Sequence, residues 1–423
     1  MKRVLVVSPH FPPANAADMH RVRLLLPFFR RHGWQAEVLA VAPEDVRVPL
    51  DPWLAGDLPE DVPVHRVRAL SLRWSRVPGL GGIGFRAMRA LRAEGDRLLA
   101  TSRFDLVYFS TTVFELHILG PRWKRMFGVP FVIDYQDPWV NDYYRDHPEV
   151  VPPGGRVKFA VADLMHRRME PRVLRACSGI TAVSADYPEQ IRRRYPELAP
   201  LPALVQPFPG AQRDFDRLSP AARRDTAEIS WIYAGRGGPD MATALRGLFL
   251  AVRDYAPSDL RENLRLHFIG TSYAPSGNGA RSVLNVAEEV GIGRMVEEIT
   301  DRIPYADALS RIRNADALIV PGSDDASYTA SKIYPYLLAR RPLLAIFHER
   351  SSVVDMMKRV GGGVSVPFAT REDSDVLARR IAAAWLSADQ YRHIVPLDEK
   401  AFEPYTDRGS AAVICDFFDR CIR

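Results

Sequence analysis

The sequence predicts an α/β protein made of two doubly wound domains in tandem. Three observations carry that prediction. Short β-branched apolar runs alternate with longer amphipathic stretches, as parallel strands covered by helices on both faces require. The alternation breaks once, at "PFPGAQRDFDRLSPAARRDTAE" (207–228), whose prolines, charges and small residues suit a linker. A chain of 423 residues, 47% of them hydrophobic, exceeds one typical domain and can fill two cores.

In the first series, strands are expected at 3–7, 36–41, 63–67, 105–109, 130–135, 178–184 and 202–208. Helices are expected over 17–32, 85–100 and 113–127, the first stopped by Gly33. In the second series, strands are expected at 229–235, 264–270, 296–303, 315–322, 341–347 and 362–368, with helices between. Sheets of this kind hold ligands beyond the carboxyl ends of their strands, so two such domains are expected to face a cleft. The expected limits are 1–210 and 211–405. The amphipathic segment of about 406–423 has no strand after it and is expected to pack back on the first domain.

The stretch "SYTASKIYPYLLARRPLLAI" (327–346) reads as loop, helix and strand, with a proline where the helix should already be running. Proline costs about 3 kcal/mol inside a helix but is tolerated in the first turn. The helix is therefore expected to begin near Ser331, capped by Thr329 or Ser331, with the N–H groups of Ala330 to Lys332 free to meet an anion.

Composition excludes several classes. Three cysteines without a CxxC pair argue against a disulfide framework or a zinc site and fit a reducing cytoplasm. The first apolar run is shorter than a signal peptide requires, and no window nears the ~18 apolar residues of a membrane span, so any membrane contact is expected to be peripheral. The net charge of +6 is uneven: residues 1–220 carry 31 Lys/Arg against 24 Asp/Glu, and residues 221–423 carry 26 against 27. A basic first half suits anionic lipid or a phosphorylated substrate. Nucleic acid is not expected, because no helix-turn-helix, RNP or zinc-finger signature accompanies the charge. Segment 66–97 holds eight arginines, with Arg86, Arg89 and Arg92 on one helical face beside Phe85, Met88 and Leu91. It is either a solvated helix or a face turned to an anionic membrane.

Four stretches carry candidate chemistry. "YAGRGGPD" puts Gly235, Arg236 and Gly237 between a strand and a helix, where glycines let backbone approach a phosphate and an arginine fork can grip its oxygens. It lacks the dinucleotide GxGxxG register and also fits an ordinary glycine turn. "IDYQDPWVNDYY" gathers Asp134, Asp137, Trp139 and Asp142 after a strand, although an aspartate before proline equally caps a helix. "FELHIL" sets Glu115 and His117 at a helix start, where a lone histidine is more often structural. The loop "SPHFPPANAADMHR" carries His10, Asn15, His20 and Arg21.

Taken in order, these stretches, with "DLVYFSTT", "ITAVS" and "RIPYADALSRIRNADALIVP", resemble the GT-B glycosyltransferases over essentially the whole chain. The nearest group is the bacterial one with a glycosyl transferase 4-like N-terminal domain. The resemblance implies two Rossmann-like domains facing a cleft in a cytoplasmic enzyme, possible at the inner face of a membrane, that moves a hexosyl unit with retention into a surface glycan or glycosylated metabolite. It implies a nucleotide-sugar co-substrate, a sugar or lipid-linked acceptor, and neither metal nor other cofactor. By the same resemblance Gly235, Arg236, Gly237, Asp325, Thr329, Ser331 and Lys332 hold the donor. His10, Asn15, Arg21 and Trp139 lie on the acceptor side, and Asp137, His117 and Glu115 are the catalytic candidates.

Departures accompany the likeness. The family's pair of glutamates falls on Ser327 and Pro335, leaving Asp324 and Asp325 as the nearest acids. Pro335 thus stands where a glutamate would hold the donor ribose. Arg246 is the nearest match to a basic residue in the helix after "YAGR", and Asn15-Ala16-Ala17 replaces a glycine pair. A GT-B epimerase or hydrolase, and a binding-only scaffold subunit, stay open as alternatives.

Overall fold

The computed structural model describes the chain apart from residues 72–80, 143–144, 146–154, 220–226, 273, 275–276 and 326–329 and the side chain of Lys158. It divides into two compact units, Met1–Phe208 with Asp407–Arg423, and Pro209–Thr406.

The first unit is built on seven parallel strands, β1 (Lys2–Val7), β2 (Trp34–Val41), β3 (Val64–Val67), β4 (Leu106–Ser110), β5 (Phe131–Tyr135), β6 (Gly179–Ala182) and β7 (Ala203–Val205), in the order β3-β2-β1-β4-β5-β6-β7. Its helices are α1 (Met19–Phe29), α2 (Ile83–Thr101), α3 (Leu119–Phe127), α4 (Arg156–Leu174) and α5 (Asp186–Arg194). Both sheet faces are covered, and the side-chain alternation shows it. Leu5, Val7, Val107, Phe109 and Ile133 belong to one core, and Val4, Val6, Leu106, Tyr108 and Val132 to the other.

The second unit repeats the plan with β8 (Ile229–Ala234), β9 (Leu264–Ile269), β10 (Val296–Ile299), β11 (Ala317–Pro321), β12 (Leu343–His348) and β13 (Val364–Phe368), all parallel, in the order β10-β9-β8-β11-β12-β13. Its main helices are α6 (Ala242–Tyr255), α7 (Ser282–Val290), α8 (Tyr305–Asn314), α9 (Ile333–Leu338), α10 (Ser352–Val360) and α11 (Ser374–Ile381). The last helix, α12 (Asp407–Cys421), belongs to the first unit. Its Phe418 ring lies edge-on to Phe29, Trp34 and Tyr108 with centroids 5.9, 5.4 and 4.9 Å away, and Asp419 accepts a hydrogen bond from Trp34 Nε1 at 2.9 Å.

Each strand order reverses beside the first strand of its sheet, between β1 and β4 and between β8 and β11. Those switch points are where open α/β sheets leave a crevice.

Three expectations are corrected. The helix expected over 113–127 is a 3₁₀ segment, Phe114–Ile118, followed by α3. Pro121 has no N–H for the carbonyl four residues back, so the α-helix restarts at Leu119 with the proline in its first turn. The helix of 327–346 begins at Ile333 rather than Ser331, with Lys332 in the cap position and no side-chain cap bond. Pro335 is thereby the third helical residue, where a missing N–H breaks nothing. Arg86 is no surface cation: it is buried, donating at 3.0 Å to the Leu70 carbonyl and also to that of Asp45, and only Arg89 and Arg92 of the expected trio are exposed. Among the described residues no helix is long and apolar enough to cross a membrane.

Candidate functional site

In the first unit, polar side chains converge at the carboxyl ends of β1, β4 and β5. The Asp18 carboxylate, buried at the start of α1, accepts from His10 Nδ1 at 3.0 Å and from Thr111 Oγ1 at 2.9 Å. Burial alone would lower the His10 pKa, but the hydrogen bond and charge of Asp18 outweigh it and raise the value. Beneath, the fully buried Asp134 carboxylate is held by Arg21 Nε at 2.7 Å, Thr181 Oγ1 at 2.7 Å, Ser110 Oγ at 2.9 Å and Gln136 Nε2 at 2.8 Å. Gln136 also donates to the Asp18 carbonyl at 3.1 Å, linking the two carboxylate centres. Arg21 extends to the carbonyls of Gln206 at 2.7 Å and Pro207 at 3.3 Å and lies under the Phe208 ring. It is a buried bolt between sheet and chain exit and offers no surface to an acceptor.

Asp137 follows β5 and reaches solvent. Protein crowded around it, together with the negative charge of Asp18, pushes its pKa up to about 6. A carboxyl poised there can exchange a proton near neutral pH.

The other catalytic candidates behave differently. His117 is buried in an aromatic cluster, its ring centroid 5.6 Å from Phe109 and 5.0 Å from Trp139, and burial pushes its pKa down to about 3. It is neutral and sealed off, so it is corrected from catalyst to core residue. Trp139 is also buried there, stacked on Phe114 at 5.8 Å, and is no exposed acceptor platform. Glu115 is half-buried, and a Cβ added at Gly84 would come within 2.8 Å of its Oε2. Asn15 uses its backbone N–H on the Pro49 carbonyl at 2.8 Å, fastening the loop after β1 to a neighbouring segment.

In the second unit the loop after β8 lies at the switch point. Gly235 N–H and Gly237 N–H donate to the carbonyls of Ile269 and Thr271, each at 2.8 Å, and Tyr233 Oη donates to the Arg236 carbonyl at 2.9 Å. From α9, Tyr336 Oη accepts from Ala234 N–H at 2.6 Å, tying that helix to the loop. Gly235 is needed for close approach: a Cβ there would stand 2.7 Å from Lys332 Nζ. Lys332 sits over the Tyr233 ring at 5.9 Å. Burial, helped by the charges of Arg236 and Arg302, pushes its pKa down to about 7. No carboxylate of a described residue pairs with it.

Arg236 differs, because its fork grips Asp240 at 2.9 and 2.6 Å. Arg246 likewise pairs with Glu289, at 2.7 Å. Asp325 is exposed with its N–H bonded to Ser323 Oγ at 3.1 Å. Ser331 is partly buried in the turn before α9, its carbonyl accepting from Tyr334 N–H at 3.4 Å. Thr329 and Ser327 lie outside the described residues. Among the described residues no group of three or more His, Cys, Asp or Glu is placed to hold a metal ion.

Asp18 escaped the sequence reading. A small acid before a helix reads as an N-cap, yet its side chain makes no cap bond and serves His10 and Thr111 instead. Tyr336 and Tyr233 were equally unmarked, since an apolar helix face and strand do not announce where a hydroxyl points.

Residues 20–204 match the glycosyl transferase 4-like domain, somewhat less than half the chain. The whole chain superposes on solved structures of GT-B glycosyltransferases. HepE from Anabaena, solved with UDP and glucose, is 13% identical with a TM-score of 0.55 over 99% of this chain and 95% of its own. A glycosyltransferase from Rickettsia africae is 10% identical with a TM-score of 0.59 over 100% and 99%. WaaG, a glycosyltransferase of lipopolysaccharide biosynthesis, is 14% identical with a TM-score of 0.54 over 99% and 97%. No curated protein sequence matches the chain. The protein thus has the GT-B fold, and its residues 20–204 are similar to a glycosyltransferase-family domain.

Proposed function

We propose that the protein transfers a hexosyl unit from a nucleotide-sugar to a sugar or lipid-linked acceptor, in the building of a surface glycan or a glycosylated metabolite. The second unit holds the donor. The observation that carries this reading is the Lys332 amine at the β8–β11 switch point, beside glycine backbone and Arg236, without a carboxylate partner among the described residues. A cation so placed is completed by an anion, and a diphosphate beyond the strand ends supplies it. Arg236 joins only by loosening its grip on Asp240, so Lys332 is the principal contact.

The first unit contributes Asp137. In the transfer the bond from sugar C1 to the diphosphate oxygen breaks, the bond from C1 to the acceptor oxygen forms, and the acceptor's proton passes to the Asp137 carboxylate. Incubation with UDP-, GDP-, ADP- and dTDP-sugars, with and without acceptor glycans and lipid-linked sugars, tests the reading. Nucleoside diphosphate release that depends on acceptor supports transfer. Conversion without acceptor indicates an epimerase or hydrolase, and binding without turnover indicates a scaffold.

Pro335 yields a separate expectation about the donor's ribose. Nothing acidic at this position rewards a 2′-hydroxyl, so UDP and dUDP bind about equally. Because Pro335 is in the first turn of α9, Pro335→Glu keeps the fold and adds a charge-assisted hydrogen bond worth about 1.5–3 kcal/mol to UDP over dUDP. Parallel titrations check both statements, and a strong preference for UDP in the native protein would refute them.

A further inference from the structure

Helix α4 presents an outward face of exposed apolar side chains. Val157, Val161, Leu164 and Met165 are 81, 67, 52 and 41% exposed, and their spacing of four, seven and eight residues sets them on one side. Ala160 is exposed on the same side, and Arg168 and Arg172 continue it toward the C-terminal end. The two carboxylates of the helix turn the other way. Asp163, 10% exposed, pairs with Arg167 at 2.9 Å, and Glu170, 1% exposed, pairs with Arg194 at 3.2 Å. The outward arc therefore combines apolar side chains with cations and carries no acid.

We propose that this face of α4 is the surface by which the protein docks on an anionic membrane. An apolar stripe continued by the cations of its own helix fits a lipid interface, where alkyl groups enter the acyl boundary and guanidinium groups meet headgroup phosphates. An acidic protein partner would engage the arginines but leave the stripe in water. A second copy would have to face like charges with like. In the arginine-rich segment 66–97, part of which (72–80) lies outside the described residues, Arg86 is buried while Arg89 and Arg92 are exposed.

Co-sedimentation with vesicles of equal parts phosphatidylglycerol and phosphatidylcholine tests the docking. Binding is expected at low salt and falls as salt rises. Arg168→Ala and Arg172→Ala each weaken it about fivefold, and Leu164→Asp weakens it about tenfold or more. All three positions are exposed, so the variants keep the native circular dichroism. Pure phosphatidylcholine vesicles bind far less. No binding to the phosphatidylglycerol vesicles, or binding indifferent to Leu164→Asp, overturns the proposal. So does a dimer in gel filtration that Leu164→Asp splits into monomers, since the stripe would then be covered by a second copy. Nucleotide-induced thermal shifts stay unchanged in these variants, which keeps failure at the membrane distinct from failure of the donor reading.

Discussion

Asp137→Asn lowers kcat/KM by about 10²–10⁴-fold and removes the acid limb of the pH profile. The native carboxyl has its pKa near 6. Below that pH it is protonated and cannot accept the acceptor's proton, so with donor saturating, which keeps Lys332 charged, the rate rises with pH through about 6 and then levels. Asparagine is isosteric, cannot take up the proton and leaves the surface otherwise intact. The loss is the contribution expected of a positioned general base. Rate measurements between pH 5 and 8 on both proteins check this. An unchanged limb in Asp137→Asn assigns it to another group, and His10, whose pKa is raised by Asp18, is the next to replace.

Asp134→Asn destabilises the first unit by about 3–5 kcal/mol, because it strands the Arg21 guanidinium as a buried charge. The pair lies at 2.7 Å with both side chains fully buried. Asparagine keeps the volume and some hydrogen bonds but not the countercharge. For a unit of this size the melting transition drops by about 10 °C. The two units need not unfold together, so the first unit's transition is the one to follow. Replacing both partners, Asp134→Asn with Arg21→Gln, leaves no charge unpaired and recovers part of the loss. A single variant as stable as the native protein would show that Arg21 is held by Gln206 and Pro207 alone.

Which features a sequence shows depends on the range of the forces behind them. All thirteen strands were legible because burial on both sheet faces writes continuous apolar runs such as "RVLVV" and "PFVIDY", a local signal. The "YAGR" loop was legible because glycine content reports a close approach directly. The arrangement of side chains was not. His117, Trp139 and Arg21 look like site residues in a string of letters, and only packing from distant segments shows that two belong to an aromatic core and one to a buried ion pair. Asp18 and Gln136 gain their roles from partners about a hundred residues away. The Arg236–Asp240 pair spans four residues, but its bidentate geometry depends on the loop that presents it.

The measurement that bears most directly on the donor site is calorimetric titration of UDP, GDP, ADP and dTDP into the native protein and Lys332→Met, at pH values on either side of 7. At least one diphosphate is expected to bind the native protein. Lysine free at a pKa of about 7 must be charged in the complex, so binding takes up a proton above that pH and weakens by at most about tenfold per pH unit as pH rises. Lys332→Met is expected to weaken binding by about 1.5–3 kcal/mol and to abolish the linkage to this proton. Binding of equal strength and equal pH dependence in both proteins, or no binding of any of the four, would contradict a donor site built on Lys332.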